Sequence, residues 1–202
     1  MWSGLIYRFT RAIVIILLKI FFSFKVEGKE NLPRGGGFIL ASNHTSNLDP
    51  IILGAACRRK VDYMAKEDLF KIPVFGWLIT LVGAFPVKRE SADIRAIKEA
   101  IKRLKCGRGL VIFPQGSRRN VLGDVHGGIG ILAFRAQAPV VPAFIFGSDK
   151  ALPVGARFLR PTKIRVRFGK PLKFPLQSSY PQIAHEVMGS IHNLALGFEE
   201  KS

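Results

Sequence analysis

Six short apolar runs, each followed by a stretch with helical spacing, limit this chain to a layered α/β architecture with helices packed on a sheet. The runs are Phe38-Ile39-Leu40-Ala41-Ser42 and residues 61–65, 85–87, 110–113, 140–146 and 164–168. The clearest helix covers 91–106, with Ile94, Ile97, Ile101 and Leu104 as its inner stripe, Asp93 in its first turn and Gly107 as its stop. Its outer face carries Arg95, Lys98, Lys102 and Arg103. A second helix opens near Gly127-Gly128, and a last one over 181–196 turns Ile183, Val187, Ile191 and Leu194 inward. At 202 residues the chain suits one domain. The expected fold is a central mixed, largely parallel β-sheet flanked by helices, over residues 27–202, preceded by an N-terminal membrane-interface helix over 1–26.

Charge and hydropathy narrow the class of partner. The formal net charge is +17, yet 48% of residues are hydrophobic. A field of that sign attracts an anionic surface, either nucleic acid or the anionic face of a membrane. Residues 1–26 decide between them: Arg8, Arg11, Lys19 and Lys25, with no acidic residue, surround Ala12-Ile13-Val14-Ile15-Ile16-Leu17-Leu18. At about 100° per residue, Arg8, Arg11 and Lys19 fall on one side of a helix and Ile13, Leu17, Ile20, Phe21 and Phe24 on the other. Lys19 interrupts a run that would need about 20 apolar residues to span a bilayer, so the helix is expected to lie in the interface or tilt with lysine snorkelling. Residues 23–27 offer no small-x-small cleavage site, so the segment is kept in the mature protein. The expected location is a membrane surface on its cytoplasmic side.

The segment 70–83 is apolar nearly all round, which suits either a buried core helix or one that meets lipid, with Trp77, Lys66 and Lys71 fitting an interface. Cys57 and Cys106 set no disulfide framework, in keeping with a reducing compartment. His185 and His192 share a helix face without a third ligand, so no metal is assigned.

The stretch Asn43-His44-Thr45-Ser46-Asn47-Leu48-Asp49-Pro50 carries chemistry. A buried strand precedes it, and Asp49-Pro50 reads as a helix N-cap followed by proline at the first helical position. His44 therefore sits in the turn. Inside one regular helix, five residues would rotate the two side chains roughly 140° apart, so they meet only through such a turn. An imidazole takes a proton near neutral pH, and a neighbouring carboxylate fixes its tautomer and stabilises the imidazolium.

Three more blocks end strands, where α/β folds collect ligands. They are Gly83-Ala84-Phe85-Pro86-Val87-Lys88-Arg89, Phe113-Pro114-Gln115-Gly116-Ser117-Arg118-Arg119 and Val140-Val141-Pro142-Ala143-Phe144-Ile145. Arginine at such a position suits an oxyanion or a phosphate, because its fork donates two parallel charge-assisted bonds.

With these four blocks the chain resembles the 1-acylglycerol-3-phosphate acyltransferase family, the lysophosphatidic acid acyltransferases and their relatives. The block Asn-His-x-Ser-x-x-Asp-Pro is met by Asn43, His44, Ser46, Asp49 and Pro50, and Gly-x-Phe-x-x-x-Arg by Gly83, Phe85 and Arg89. Phe-Pro-Glu-Gly-Thr-Arg is met as Phe113, Pro114, Gln115, Gly116, Ser117 and Arg118, and Val-Pro as Val141 and Pro142. The resemblance implies acyl transfer from a thioester to the hydroxyl of a lysophospholipid acceptor, with His44 as base and Asp49 as its orienting partner. It implies that Arg89 and Arg118 bind acceptor phosphate, and that Phe85, Gln115, Gly116, Ser117 and His126 belong to the substrate site. It implies no cofactor beyond the donor itself, acyl-coenzyme A or acyl carrier protein. The implied partners are membrane phospholipid, the lysophospholipid acceptor and, for the second donor, acyl carrier protein. Two positions depart from the pattern: Gln115 replaces glutamate, losing a charge, and His126 replaces lysine, making a fixed cation titratable.

Other readings are weaker. Arg58-Arg59-Lys60 and the basic stretch 157–173 would suit nucleic acid, but no recognition module accompanies them and the apolar N-terminal helix would be unexplained. No nucleic-acid partner is expected. Gly128-Ile129-Gly130-Ile131-Leu132-Ala133 matches a dinucleotide fingerprint without the strand it needs, so tight helix packing is the expected role of its glycines. Gly35-Gly36-Gly37 reads as a turn. A closer rival is a membrane lipid-binding relative that kept the fold without turnover, a reading that Gln115 invites and His44 and Asp49 oppose.

Overall fold

The computed structural model describes residues 2–88, 93–115 and 128–199. In chain order its elements are helix α1 (Trp2–Phe22), strands β1 (Lys25–Glu27) and β2 (Phe38–Ser42), helix α2 (Asp49–Ala56), strand β3 (Val61–Lys66) and helix α3 (Pro73–Leu81). Strand β4 (Ala84–Val87), helix α4 (Ile94–Lys105), strand β5 (Gly109–Ile112) and helix α5 (Gly128–Ala136) follow. Strand β6 (Val140–Phe146), helix α6 (Ser148–Ala151), strand β7 (Arg165–Phe168) and helix α7 (Tyr180–Glu199) complete the chain. The strands form one sheet in the order β1-β7-β6-β2-β5-β3-β4. Neighbours run parallel except β6 and β7. Each of the six apolar runs forms a strand, within a residue or two of its expected bounds. The three-residue β1 was not expected.

Strand β2 lies inside the sheet and is buried along its whole length. Its side chains alternate between two cores, as a period of two requires. Phe38 and Leu40 join Ile52 and Leu53 of α2, while Ile39 and Ala41 join Ala96, Ala100 and Leu104 of α4, Ile129 and Leu132 of α5, and Ile183 and Val187 of α7. Fully burying each such aliphatic side chain contributes about 1.5–3 kcal/mol. Right-handed crossovers place α2 and α3 on one face and α4 and α5 on the other, because the chain reverses direction across the sheet after β4. The strands β2 to β6 therefore deliver their carboxyl ends, and the four sequence blocks, to a common edge.

Three expectations need correction. In α4 the inner stripe is Ala96, Ala100 and Leu104, with Ile97 and Ile101 flanking it, and Ile94 is 62% exposed. Small alanines let that helix approach the sheet closely. Asp93 is the N-cap of α4, its carboxylate accepting the Ala96 N–H at 3.0 Å, so it precedes the first turn. Helix α1 ends at Phe22, and Lys25 and Val26, expected to continue it, pair with Arg165 and Val166 of β7.

Helix α1 is apolar on two opposite sides. Its inner stripe, Val14, Ile15, Leu18 and Phe22, packs on the core shared with α2, whereas Phe9, Ile13, Ile16, Leu17, Ile20 and Phe21 are exposed. Phe24, expected on that outer side, is buried. Arg11, expected on the solvated face, donates to the Gly54 and Ala55 carbonyls at 3.3 and 2.9 Å. It thereby satisfies orphan acceptors at the α2 C-terminus, where a cation also opposes the helix dipole favourably. Beneath this contact burial pushes the Cys57 thiol up to about 12 and holds the Tyr63 phenol well above its usual range.

Helix α3 is not a core helix. Within it Gly76 alone is buried, while Val74, Trp77, Leu78 and Leu81 are all exposed, so the core-helix alternative is overturned. Lys60 donates to the Leu81 carbonyl at 3.2 Å and lies over the Tyr7 ring of α1, tying the two helices together.

Gly130 in α5 meets the backbone of Tyr180 at the start of α7, where an added Cβ would overlap the carbonyl oxygen. Gly128 has open space instead. Tight helix packing is thus the role of Gly130, as expected, but not of Gly128. Gly130→Ala is therefore expected to cost about 1–3 kcal/mol by overpacking and to lower the melting temperature, while Gly128→Ala leaves it nearly unchanged. Thermal denaturation of the two variants checks the pair.

Candidate active site

His44 follows the carboxyl end of β2, the strand most deeply enclosed by the sheet. Its ring is 7% exposed, and Nδ1 lies 2.8 Å from Asp49 Oδ2. The same Oδ2 accepts the backbone N–H groups of Thr45 at 2.7 Å and Ser46 at 2.8 Å. Three donors converging on one oxygen identify it as the anionic acceptor, so Nδ1 carries hydrogen and donates. In the neutral ring this tautomer leaves Nε2 as the acceptor nitrogen. Asp49 Oδ1 is buried with no hydrogen-bond partner among the described residues.

The expectation that Asp49 is the N-cap of its own helix is overturned. Leu48 holds that position without a side-chain cap, and Asp49 is the first residue of α2, followed by Pro50. A true N-cap carboxylate turns forward to the next helical amides. Here it turns back onto the preceding loop, which is what fixes His44 rather than the helix.

Further contacts hold the loop. Asn43 donates its Nδ2 hydrogen to the Ile145 carbonyl at 2.9 Å and accepts the Ile145 N–H on Oδ1 at 2.8 Å, so one amide continues the β2–β6 ladder after the strand has ended. Ser46 Oγ donates to the Leu152 carbonyl at 2.8 Å, and the Thr45 and Ser148 hydroxyls lie 3.1 Å apart. Phe113, beyond β5, stacks on the His44 ring with centroids 4.1 Å apart and planes 20° apart. The first, third and fourth blocks thus converge: the first supplies the imidazole and carboxylate, the third its aromatic support, the fourth the strand on which Asn43 locks.

The second block stands on its own scaffold. Gly83, at φ 99, fills a left-handed position where a side chain would strike Asp62. Arg103 bridges the Gly83 carbonyl at 3.1 Å and the buried Asp62 at 3.1 Å, and its guanidinium lies 4.4 Å from the centroid of the Phe85 ring. Phe85 is buried, at the floor of a groove of about 400 Å³ along β4 and α4 whose lining includes Val87, Lys88, Asp93 and Arg95 but not His44. Gln115 is half-buried in the turn two residues beyond Phe113. Of the other expected site residues, Arg89, Gly116, Ser117, Arg118 and His126 lie outside the described residues.

Sequence reasoning left Asn43, Ser46 and Phe113 without a role. For Asn43 a signal existed, because a primary amide straight after an uninterrupted buried strand must find partners for both its ends. Asn43→Ala would strand the Ile145 N–H and C=O in the interior, at about 1–3 kcal/mol each. The expected outcome is a loss of stability in denaturant titration together with faster hydrogen exchange at the Ile145 amide; unchanged exchange there would contradict the clamp.

Comparison with known proteins places the whole chain. The family model described as Acyltransferase matches residues 23–146. The 1-acyl-sn-glycerol-3-phosphate acyltransferase of Bacillus subtilis is 34% identical over 167 residues, covering 82% of each chain. Its namesake from Streptococcus pneumoniae is 32% identical over 170 residues, covering 82% of this chain and 62% of the relative. The crystal structure of the 1-acyl-sn-glycerophosphate (LPA) acyltransferase, PlsC, from Thermotoga maritima superposes with a TM-score of 0.78 at 26% identity, covering 96% of this chain and 81% of that one. With the family model spanning residues 23–146 and a relative 34% identical over 82% of each chain, the chain belongs to the acyltransferase family.

Proposed function

We propose that the protein transfers a fatty acyl group from acyl-coenzyme A or acyl carrier protein to the free hydroxyl of 1-acylglycerol-3-phosphate or a related lysophospholipid, in phospholipid biosynthesis. The observation that carries this reading is the 2.8 Å contact between His44 Nδ1 and Asp49 Oδ2 at the carboxyl edge of the sheet, with Nε2 left as the basic nitrogen. Nε2 takes the proton of the acceptor hydroxyl as its oxygen bonds to the thioester carbonyl carbon. Asp49 holds the ring and stabilises the imidazolium. The tetrahedral intermediate then expels the thiolate, which recovers the proton from Nε2, so ester and thiol leave and the enzyme is unchanged. A thioester is activated enough for this direct attack, and no cofactor beyond the donor is needed.

In this reading Arg89 and Arg118 bind acceptor phosphate, and backbone amides around Gly116 contact acceptor or oxyanion. Phe85, Ser117 and His126 belong to the same substrate region. Gln115 takes part in hydroxyl or headgroup contacts with an amide that can donate as well as accept, where a glutamate could only accept. Membrane attachment falls to the outer stripe of α1 and the open face of α3, on the cytoplasmic side. Among the described residues no helix is long and apolar enough to cross a membrane, which fits contact with one leaflet.

The test pairs a labelled acyl thioester with a panel of lysophospholipids. Product is expected for at least one pair, and none with any pair would favour the lipid-binding relative without turnover. His44→Ala is expected to abolish product and Asp49→Asn to lower turnover by about 10²–10⁴-fold, both with vesicle binding intact. Gln115→Glu is expected to shift acceptor preference; an unaltered preference would remove Gln115 from the headgroup contacts.

A further inference from the structure

The basic stretch after α6, set aside above as a nucleic-acid signal, has a different geometry from the one that reading would need. Residues 150–163 contain Lys150, Arg157, Arg160 and Lys163 and no acidic residue. Between these cations Val154, Phe158 and Leu159 are 64%, 82% and 56% exposed, and Phe158 is the most exposed of the large hydrophobic residues described. Apolar side chains held in water at this density mark a contact surface rather than a solvated loop.

The loop is fastened at both ends. At its start Leu152 accepts the Ser46 hydroxyl at 2.8 Å, and Ala151 accepts the Arg160 N–H at 2.8 Å, closing the loop on itself. At its end Ile164 donates to the Phe22 carbonyl at 2.9 Å, so the base of the loop rests on the last turn of α1. Its tip is thereby fixed between two places: the catalytic loop that carries His44, and the end of α1 where Ile20 and Phe21 lie exposed. The buried anchors Ala151 and Ile164 belong to the same core as α1 and α2, which puts the tip on that face of the molecule.

We infer that residues 152–163 form a second membrane-contacting element, independent of α1, that inserts Val154, Phe158 and Leu159 among the headgroups of an anionic bilayer. Arg157, Arg160 and Lys163 pair with lipid phosphates around the inserted side chains. Mixed apolar and cationic chemistry on a loop whose base bonds the last turn of α1 fits a bilayer surface better than a folded acidic protein, which offers charge without depth. The consequence is orientation: α1 holds the protein on the membrane, and this loop turns the His44 edge toward the lipid in which a lysophospholipid resides. The inference goes beyond the acyltransfer reading and does not require turnover.

The direct test places tryptophan at the tip. Phe158→Trp is made in the full chain with Trp2 and Trp77 replaced by phenylalanine, and mixed with vesicles of phosphatidylglycerol and phosphatidylcholine or of phosphatidylcholine alone. The expected result is a blue-shifted emission quenched by spin labels placed shallowly in the acyl region, stronger with phosphatidylglycerol. The double variant Phe158→Ser and Leu159→Ser should bind the anionic vesicles about tenfold or more weaker, with an unchanged circular dichroism spectrum. Protein that binds vesicles while the residue 158 probe stays water-exposed and unquenched would overturn the inference. So would failure to bind either vesicle, or burial of the probe without lipid, by self-association or by added acyl carrier protein. If the inference holds, the double variant also raises KM for vesicle-borne acceptor and spares turnover of a short-chain monomeric one. Loss of all turnover in the parent enzyme would count against the acyltransfer reading and leave the fluorescence result standing.

Discussion

One carboxylate oxygen organises the functional end of this protein. Asp49 Oδ2 collects the Nδ1–H of His44 and two backbone N–H groups within 2.8 Å, and the carboxylate is itself fully buried. In such surroundings a charge is tolerated only when donors surround it, so the loop cannot relax without stranding the anion. The geometry of His44 is therefore a by-product of satisfying Asp49. The ring has little freedom left once Phe113 covers one face.

The sheet makes this arrangement possible by bringing β5 and β6 to either side of β2. Asn43 borrows the pairing groups of Ile145 to extend the β2–β6 ladder past the end of β2, and Ser46 and Thr45 reach the segment beyond β6. Among the described residues, these side-chain hydrogen bonds all fall on one neighbour. The other neighbour, β5, leads to Phe113 and then to the turn that carries Gln115. Away from the site, α1 packs on the core shared with α2 and is tied to α3 through Lys60, and both helices leave apolar side chains exposed, while α4 with its outer cations packs on the opposite core. That asymmetry suits a protein that works against a lipid surface.

Much of this was legible in the sequence, because the deciding signals were local. The unbroken apolar run of Phe38 to Ser42 and the stripe of α7 follow from hydropathy and period, and the strands came out nearly where the apolar runs stood. The histidine and aspartate pair was legible from its spacing only once the other three blocks stood beside it. What escaped were features set by distant partners. A stripe of isoleucines in α4 gave way to alanines because the distance to the sheet, not hydropathy, chose the buried face. Arg11 looked like a solvated cation until the α2 C-terminus was beside it. Asp49 looked like a helix cap because capping and loop-locking use the same residue next to the same proline, and only the direction of the side chain separates them. Strand β1 was hidden since three residues carry no period.

The account stands on the tautomer of one ring. Nitrogen-15 NMR of the histidine-labelled protein near neutral pH, with His44 assigned from the His44→Ala spectrum, reads that state directly. The prediction is a protonated Nδ1 whose hydrogen resonates far downfield, with Nε2 at the shift of an unprotonated nitrogen, and loss of the downfield signal in Asp49→Asn. A ring protonated on Nε2 alone, or a His44 signal indifferent to Asp49→Asn, would contradict the central claim that Asp49 holds His44 as a base.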